Sequence, residues 1–291
     1  MKKTGILSVI LWSSLAFVIG AAIASYVASR EIVFLEANPQ ILIPEVSPQF
    51  PLIYFFCAVA VIGIVLFLIP LSKLKWVFRI LFVLLYAWGI FVVLALIIPS
   101  LVVVAILAVA GGLTWLFVPR VWLHNLLMLV ALAGVASVFG ILINPWPMMG
   151  LLLVISIYDF LAVRFGYMMW MAKKLSQSDA LPAFVIPKTQ SNWNHSVRTS
   201  GSQTLMEGEA AEREYSILGG GDIGFPLMLM VSVFATYGFV SSIVVAIFSL
   251  AGLISAFVIQ RLLLKGKPMP ALPPISFLSL IGLLIVHFVM K

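Results

Sequence analysis

Apolar residues fall into nine long runs, separated by short polar or proline-containing segments. A helix needs about 20 apolar residues to cross a membrane, because it must span about 30 Å at 1.5 Å per residue. Apolar and polar residues do not alternate within the runs, which argues against the strands of a membrane β-barrel. The pattern predicts an all-α, polytopic membrane protein with nine transmembrane helices. The predicted segments are roughly 5–28, 52–70, 77–98, 100–118, 124–143, 148–171, 217–236, 238–260 and 274–290.

Composition supports this class. Of the 291 residues, 63% are hydrophobic and 9% are charged, whereas a soluble domain is about 25% charged. The single cysteine, Cys57, excludes a disulfide scaffold. The three histidines, His124, His195 and His287, lie too far apart in the chain to form a local metal motif, so no metal is expected.

The distribution of lysine and arginine predicts the orientation. If Lys2 and Lys3 are cytoplasmic and all nine segments span, only Arg30 and Lys291 of the 17 basic residues lie outside. Short cytoplasmic loops carry an excess of basic residues in membrane proteins. The net charge of +7 is therefore explained by the orientation of the chain in the membrane rather than by nucleic-acid binding. We expect a cytoplasmic N-terminus and an external C-terminus.

The first segment has a second interpretation. Lys2, Lys3, the apolar run and Ala22-Ile23-Ala24 resemble a signal peptide with a small-residue cleavage site. The run is about 23 residues long, against 7–15 for a typical signal peptide, which favours a retained helix. Cleavage would remove one span and leave the orientation of the later ones unchanged.

One long polar stretch divides the chain. Residues 172–216 lack the apolar side chains of a core and are predicted to form a flexible cytoplasmic loop. The loop separates an N-terminal six-helix part, 1–171, from a C-terminal three-helix part, 217–291.

Two acidic residues, Asp159 and Asp222, fall inside predicted spans, whereas the other acids, including Glu31, are assigned to loops. A charge in hydrocarbon costs at least about 2.5–3.5 kcal/mol, so such residues are functional candidates. A structural ion pair is the alternative. Arg164 follows Asp159 by five residues, which is not the spacing that places two side chains on one helix face.

The two aspartates are predicted to lie at similar depth. Asp159 lies about 7.5 Å along its helix from Arg164, which is expected at the cytoplasmic surface. Asp222 lies about 6 Å from Leu218, near the cytoplasmic start of an antiparallel helix. If the helices adjoin, the carboxyls can meet across a water molecule. Two close carboxylates do not both ionise readily, so one retains a proton. One group then acts as base and the other as acid, as in aspartic proteases.

Two backbone features flank these acids. Gly219, Gly220 and Gly221 predict an unwound approach to Asp222 that a substrate strand could pair with. A flexible helix start and a phosphate loop are the alternatives, although no Lys-Ser or Lys-Thr follows. The stretch from Pro268 to Pro274 is interpreted either as a rigid extended wall beside the acids or as a plain helix start.

Three motifs occur in a family's order. Tyr158-Asp159, Gly219-Gly220-Gly221-Asp222 and Pro270-Ala271-Leu272 resemble the YD, GxGD and PAL motifs of the presenilin and signal-peptide-peptidase intramembrane aspartyl proteases. The predicted N-terminal orientation is similar to that of presenilins. The compact chain resembles a microbial, archaeal-type presenilin homologue, which implies the plasma membrane of a prokaryote.

The resemblance implies roles for these residues. Asp159 and Asp222 would be the catalytic dyad, and Tyr158 would lie beside it. The three glycines and Pro270, Ala271 and Leu272 would shape the site and bind substrate. Gly220 departs from the leucine that many presenilins carry, which leaves local substrate preference open. Self-cleavage of the long loop is also left open.

The predicted function is an intramembrane aspartic endopeptidase that hydrolyses peptide bonds within transmembrane helices. Its partners would be transmembrane protein substrates and the lipid bilayer, without nucleic acid, metal or cofactor, and a homo-oligomer is left open. An ion or proton channel or transporter that uses the same two aspartates is the main alternative. A catalytically idle binding scaffold is a third.

Overall fold

The computed structural model describes residues 3–41, 49–68, 71–167, 170, 181–197, 214–264 and 269–290. The described part contains nine α-helices, a short 3-10 helix and a two-stranded sheet. The helices are α1 (Lys3–Ala37), α2 (Gln49–Leu68), α3 (Leu71–Ala95), α4 (Leu101–Phe117), α5 (Val121–Leu142), α6 (Pro145–Arg164), α7 (Gly220–Tyr237), α8 (Phe239–Leu262) and α9 (Leu272–Val289). The strands are β1 (Ala183–Pro187) and β2 (Tyr215–Gly219), and the 3-10 helix is Gln190–Asn194.

The described helices match the nine predicted segments in number and order, which confirms the all-α prediction. Seven of them are long and apolar enough to cross a membrane. The other two contribute shorter apolar helices, Phe56–Val65 within α2 and Leu101–Phe117 as α4. The largest differences from the predicted boundaries are that α1 continues to Ala37, α3 begins at Leu71 and α6 ends at Arg164.

Helix α5 lies at the centre of the bundle and packs against α1, α3, α7 and the sheet. Small residues allow the close approaches. A Cβ on Gly89 of α3 would lie 2.4 Å from the Ala131 Cα, and one on Gly140 would lie 2.6 Å from the Val231 Cβ. Many large apolar side chains on the outer helices are exposed, which suits a surface that faces lipid tails.

The C-terminal helices bring the three sequence motifs together. Helix α8 packs along α9, where the buried Ser249 and Ser279 hydroxyls are 2.7 Å apart. Helix α6, which carries Asp159, packs against both α7 and α9. The YD, GxGD and PAL motifs therefore lie on three neighbouring helices.

Part of the predicted loop is ordered, contrary to the expectation of a flexible segment over 172–216. Strand β1 pairs with β2 in antiparallel register, with Phe184 opposite Leu218. A small apolar cluster covers this sheet at the start of α5, because the predicted loop contains short apolar runs that can pack together. Its buried members are Val121, Leu181, Ala183, Val185, Val197 and Tyr215. Residues 171–180 and 198–213 lie outside the described residues, and the three-part division stays a prediction.

The acids of the first outer loop also differ from expectation. Glu31 and Glu36 lie inside α1, because that helix continues beyond its predicted end, and Glu45 lies outside the described residues. The Glu31 side chain hydrogen-bonds with Ser137. Ser137 belongs to the second half of α5, whereas the sheet contacts the first half. Glu31 is therefore remote from the two aspartates.

Candidate active site

Asp159 lies on α6, five residues before the helix ends, and its side chain is buried, with 4% of the residue exposed. Its Oδ2 accepts a hydrogen bond of 3.2 Å from the backbone N–H of Leu272. The backbone N–H of Ala271 also interacts with this carboxyl. The Asp159 carboxyl is thus held by the N-terminus of α9, a different helix from its own.

The sequence of α9 explains why these amides face an acid. The first N–H groups of a helix have no partner within the helix. Pro273 and Pro274 have no N–H, so Ala271 and Leu272 supply the amides that remain at this end. A helix N-terminus carries a partial positive charge, which stabilises a nearby carboxylate. The proline-rich start concentrates these donors on Asp159.

Asp222 lies in the first turn of α7 and is 8% exposed. Its carboxyl interacts with the backbone N–H of Gly219, the N-cap residue of the same helix. This is the reciprocal half of a capping box, in which the third helical residue reaches back to the N-cap amide. Because α7 begins at Gly220, after a strand, Asp222 lies nearer the helix start than the predicted segment 217–236 implied.

The two buried carboxyls lie on helices that pack against each other. Asp159 and Asp222 interact electrostatically, and α6 packs against α7. Among the described residues neither carboxyl has a cationic partner, and Arg164 is exposed at the end of α6. A structural ion pair therefore does not explain the two acids. Backbone amides, rather than basic side chains, stabilise charge at this site.

Gly219, Gly220 and Gly221 do not form the expected unwound stretch. Gly219 ends β2, and the other two begin α7 with regular helix. Close approach explains two of these glycines. A Cβ on Gly219 would lie 3.1 Å from Oδ2 of Asp222, and one on Gly220 would lie 3.3 Å from the Pro182 carbonyl oxygen.

Tyr158 and the PAL segment flank the acids. The Tyr158 ring makes an edge-on contact with Phe56 of α2, with centroids 6.4 Å apart, and the tyrosine interacts electrostatically with Asp159. Pro270 directly precedes Ala271, which caps α9 in a helical conformation at φ −89° and ψ −27°. The segment is a helix start rather than an extended wall. Pro268 lies outside the described residues.

A family model described as signal-peptide peptidase, presenilin aspartyl protease matches residues 11–291. The chain belongs to this family. It is therefore a hydrolase, an aspartyl protease of the presenilin family, and its apolar helices make it an integral membrane protein. Membership also indicates that its substrates are membrane proteins. An ion or proton channel finds no support in the comparisons.

Two solved structures share the fold of this presenilin-family chain. Both are described as a presenilin family intramembrane aspartate protease, one in space group C222 and one in space group P2. The first has a TM-score of 0.60 and 19% identity over 94% of this chain and 95% of that one. The second has a TM-score of 0.56 and 22% identity over 94% and 96%. A search of curated protein sequences found no match.

In this presenilin-family protein, the contacts that hold β1 were not predicted from the hydrophobic pattern. His124 and Asn125 of α5 bind the backbone of that strand. The signal was the apolar stretch Leu181–Pro187, which is bounded by polar residues and rich in β-forming side chains. His124 was considered only as a metal ligand, and the described residues contain no cluster suited to a metal.

Proposed function

We propose that Asp159 and Asp222 are the catalytic dyad of this protease and that they hydrolyse peptide bonds within transmembrane helices of other membrane proteins. The observation that carries the proposal is the shared burial of the two carboxyls, each against the backbone amides of a helix start. Such amides stabilise an ionised carboxylate, while burial and the neighbouring acid favour a neutral partner. The site therefore suits a pair that shares one proton.

The chemistry follows from that shared proton. The ionised carboxyl removes a proton from a water molecule while the protonated carboxyl donates a hydrogen bond to the scissile carbonyl oxygen. The water oxygen bonds to the carbonyl carbon and forms a tetrahedral intermediate. When the C–N bond breaks, the departing nitrogen takes up a proton and the two peptides separate. Every atom comes from the substrate and water, so no metal or cofactor is required.

The substrate must be extended locally before it can be cut. Backbone groups released from a helix are costly in a membrane unless they find partners. Phe184 and Leu218 pair through their backbone N–H and C=O groups. Neighbouring residues of a strand direct these groups to opposite edges, so the N–H and C=O of Ile217 point away from β1. The N–H of Gly219 points to that same side and meets Asp222. A substrate strand that pairs with the outer edge of β2 would thus approach the dyad.

The remaining motif residues are proposed to shape this site. Gly219 leaves room for the Asp222 carboxyl, and Gly220 and Gly221 start the helix that carries it. Pro270, Ala271 and Leu272 orient Asp159 and border the substrate, and Tyr158 closes the side towards α2.

We further propose a cytoplasmic N-terminus, an external C-terminus and the plasma membrane of a prokaryote as the location. The charge distribution supports the orientation, since only Arg30 and Lys291 would lie outside. A reporter enzyme fused to the C-terminus, active only outside the cytoplasm, tests it. Activity of that fusion is the expected result, and an inactive but expressed fusion would reverse the orientation.

Reconstitution of the purified protein with a single-span substrate tests the dyad. We expect Asp159→Asn and Asp222→Asn each to abolish cleavage, measured by mass spectrometry of the products. Glu31→Gln is the matched control, because it also removes an acid from a membrane helix but at a distance from the site. It should cleave at the wild-type rate. Retained cleavage in either aspartate variant would refute the dyad.

A further inference from the structure

Two consecutive side chains of α5 hold the outer edge of β1. The Asn125 side chain forms two hydrogen bonds with Val185, donating from Nδ2 to the carbonyl oxygen at 2.7 Å and accepting at Oδ1 from the N–H at 2.9 Å. Nε2 of the neighbouring His124 lies 2.9 Å from the Ala183 carbonyl oxygen. The amide of Asn125 thus occupies the place that a neighbouring strand would fill.

The His124 contacts fix its protonation. The indole Nε1 of Trp115 lies 3.3 Å from Nδ1 of His124, and an indole nitrogen can only donate. Nδ1 is therefore the acceptor, and Nε2 carries the proton that it donates to Ala183. The Tyr86 hydroxyl also lies 3.1 Å from Nδ1. This fully buried histidine is a neutral anchor between α3, α4, α5 and the strand.

Strand geometry explains why these two contacts fall on one side. Alternate residues of a strand direct their backbone groups to the same edge, so Ala183 and Val185 both face α5. Phe184 and Ile186 face the opposite edge and pair with β2. The α5 contacts therefore occupy the β1 edge of the sheet, and among the described residues no further strand pairs with the outer edge of β2.

The contacts also connect α5 to the dyad in a short series. Asn125 fixes β1, the pairing of Phe184 with Leu218 fixes β2 on β1, and Gly219 joins β2 directly to α7 and Asp222. A slip of one residue in a sheet reverses which groups face each edge. Asp159 lies on a separate helix, α6, so the position at which α5 holds the sheet sets which residue of a β2-paired substrate would meet both carboxyls.

We propose that Asn125 is a positioning residue that fixes the sheet and thereby selects the peptide bond that is cut. This inference rests on the proposed function, because it assumes that the substrate pairs with β2. It adds a residue outside the three sequence motifs, on a different helix, and gives it a role in cleavage-site selection.

The test compares Asn125→Ala and Asn125→Asp with wild type on one reconstituted single-span substrate. Alanine removes both bonds to Val185, and aspartate keeps the shape but loses the donor. In the aspartate variant we expect cleavage at bonds one or two residues from the main site to rise about fivefold relative to the main product, the change that corresponds to loss of one ordinary hydrogen bond, and in the alanine variant at least as much. Mass spectrometry of the products gives the ratio.

Asn38→Ala is the matched control, because Asn38 is partly exposed just after the end of α1 and its hydrogen bonds within the described residues are to nearby residues of the same segment. It should keep the wild-type product ratio. Hydrogen exchange adds a readout that does not depend on activity. Peptides that cover β1 should exchange faster in both Asn125 variants, and peptides from α9 should not change.

The outcomes separate the two proposals. If Asp222→Asn still cleaves, the proposed function fails. If cleavage requires the dyad but both folded Asn125 variants cut the wild-type bonds in the wild-type ratio, the positioning role is wrong even where exchange in β1 increases. If the alanine variant does not fold, the aspartate variant decides, because it fills the same volume. A changed ratio in that variant alone supports the proposal.

Discussion

The two buried aspartates are held in different ways. Asp222 lies in the first turn of its own helix, and its carboxyl meets the N–H of Gly219 three residues earlier. Asp159 lies near the end of α6, and its carboxyl meets the N–H of Leu272, which is 113 positions away in the chain. One acid is positioned by local backbone geometry, and the other by packing between distant helices.

This difference predicts how substitutions near each aspartate change stability and activity. The Asp222 geometry depends on a strand end, a cap and one helical turn, so a change there should alter the site without loosening the bundle. The Asp159 geometry depends on where α9 begins. Helix α8 sets that position, because Gly252 lies directly against the backbone of Pro274 and Ile275. Changes at this contact should reduce stability and activity together.

Among substitutions that leave both aspartates in place, Gly252→Ala should have the largest effect. The new Cβ would lie 2.6 Å from the Ile275 Cα and 2.9 Å from the Pro274 carbonyl oxygen, and backbone cannot move aside as a flexible side chain can. Overpacking of this kind costs about 1–3 kcal/mol. The start of α9 should shift away from Asp159. We expect a lower melting temperature and at least about a tenfold loss of kcat/KM, equivalent to about 1.4 kcal/mol in the transition state.

Gly150→Ala is the matched control for that variant, because a Cβ at this position of α6 meets no atom within 4 Å. Its melting temperature and kcat/KM should equal those of wild type. A Gly252→Ala protein with full activity would show that Asp159 does not depend on the packing of α8 against α9.

Gly219→Ala should have the second largest effect. The backbone at φ −56° and ψ 138° accepts alanine, so the disturbance arises from the new Cβ at 3.1 Å from Oδ2 of Asp222. The carboxyl must move by a few tenths of an ångström. We expect kcat/KM to fall about fivefold to tenfold, since small displacements of catalytic groups are costly.

The melting temperature separates this variant from Gly252→Ala. It should stay at the wild-type value, because the strain is confined to one carboxyl at the edge of α7. An equal loss of stability in both variants would contradict the distinction between a locally held and a distantly held acid.

Much of the fold follows from hydrophobic pattern, because lipid requires long, continuous apolar helices. The pattern predicted the nine described helices, with most boundaries within a few residues. The two aspartates were found because acids inside apolar spans are conspicuous. Glycine at 219–221 and proline at 270–274 marked the starts of α7 and α9, although the glycines did not indicate that Gly220 and Gly221 are themselves helical.

Long-range contacts could not be predicted in the same way. Nothing in the local sequence pairs Leu272 with Asp159, or Asn125 with Val185, because those bonds depend on how the helices assemble. The charged residues also led to a predicted end of α1 that is too early. Glu31 indicated a loop, yet it lies within the helix, and its side chain interacts with Ser137 of α5.

Tyr158→Phe should have the smallest effect of these substitutions and completes the comparison on the Asp159 side. Phenylalanine keeps the ring contact with Phe56 and removes only the hydroxyl, which interacts electrostatically with Asp159. We expect a loss of about twofold to threefold in kcat/KM, equivalent to about 0.4–0.7 kcal/mol in the transition state. Tyr158→Ala should lose more, because an edge-on aromatic pair contributes about 0.5–1.5 kcal/mol. If the phenylalanine variant instead loses more activity than Gly219→Ala, the hydroxyl acts directly on the dyad, and Asp159 would depend on its sequence neighbour as well as on α9.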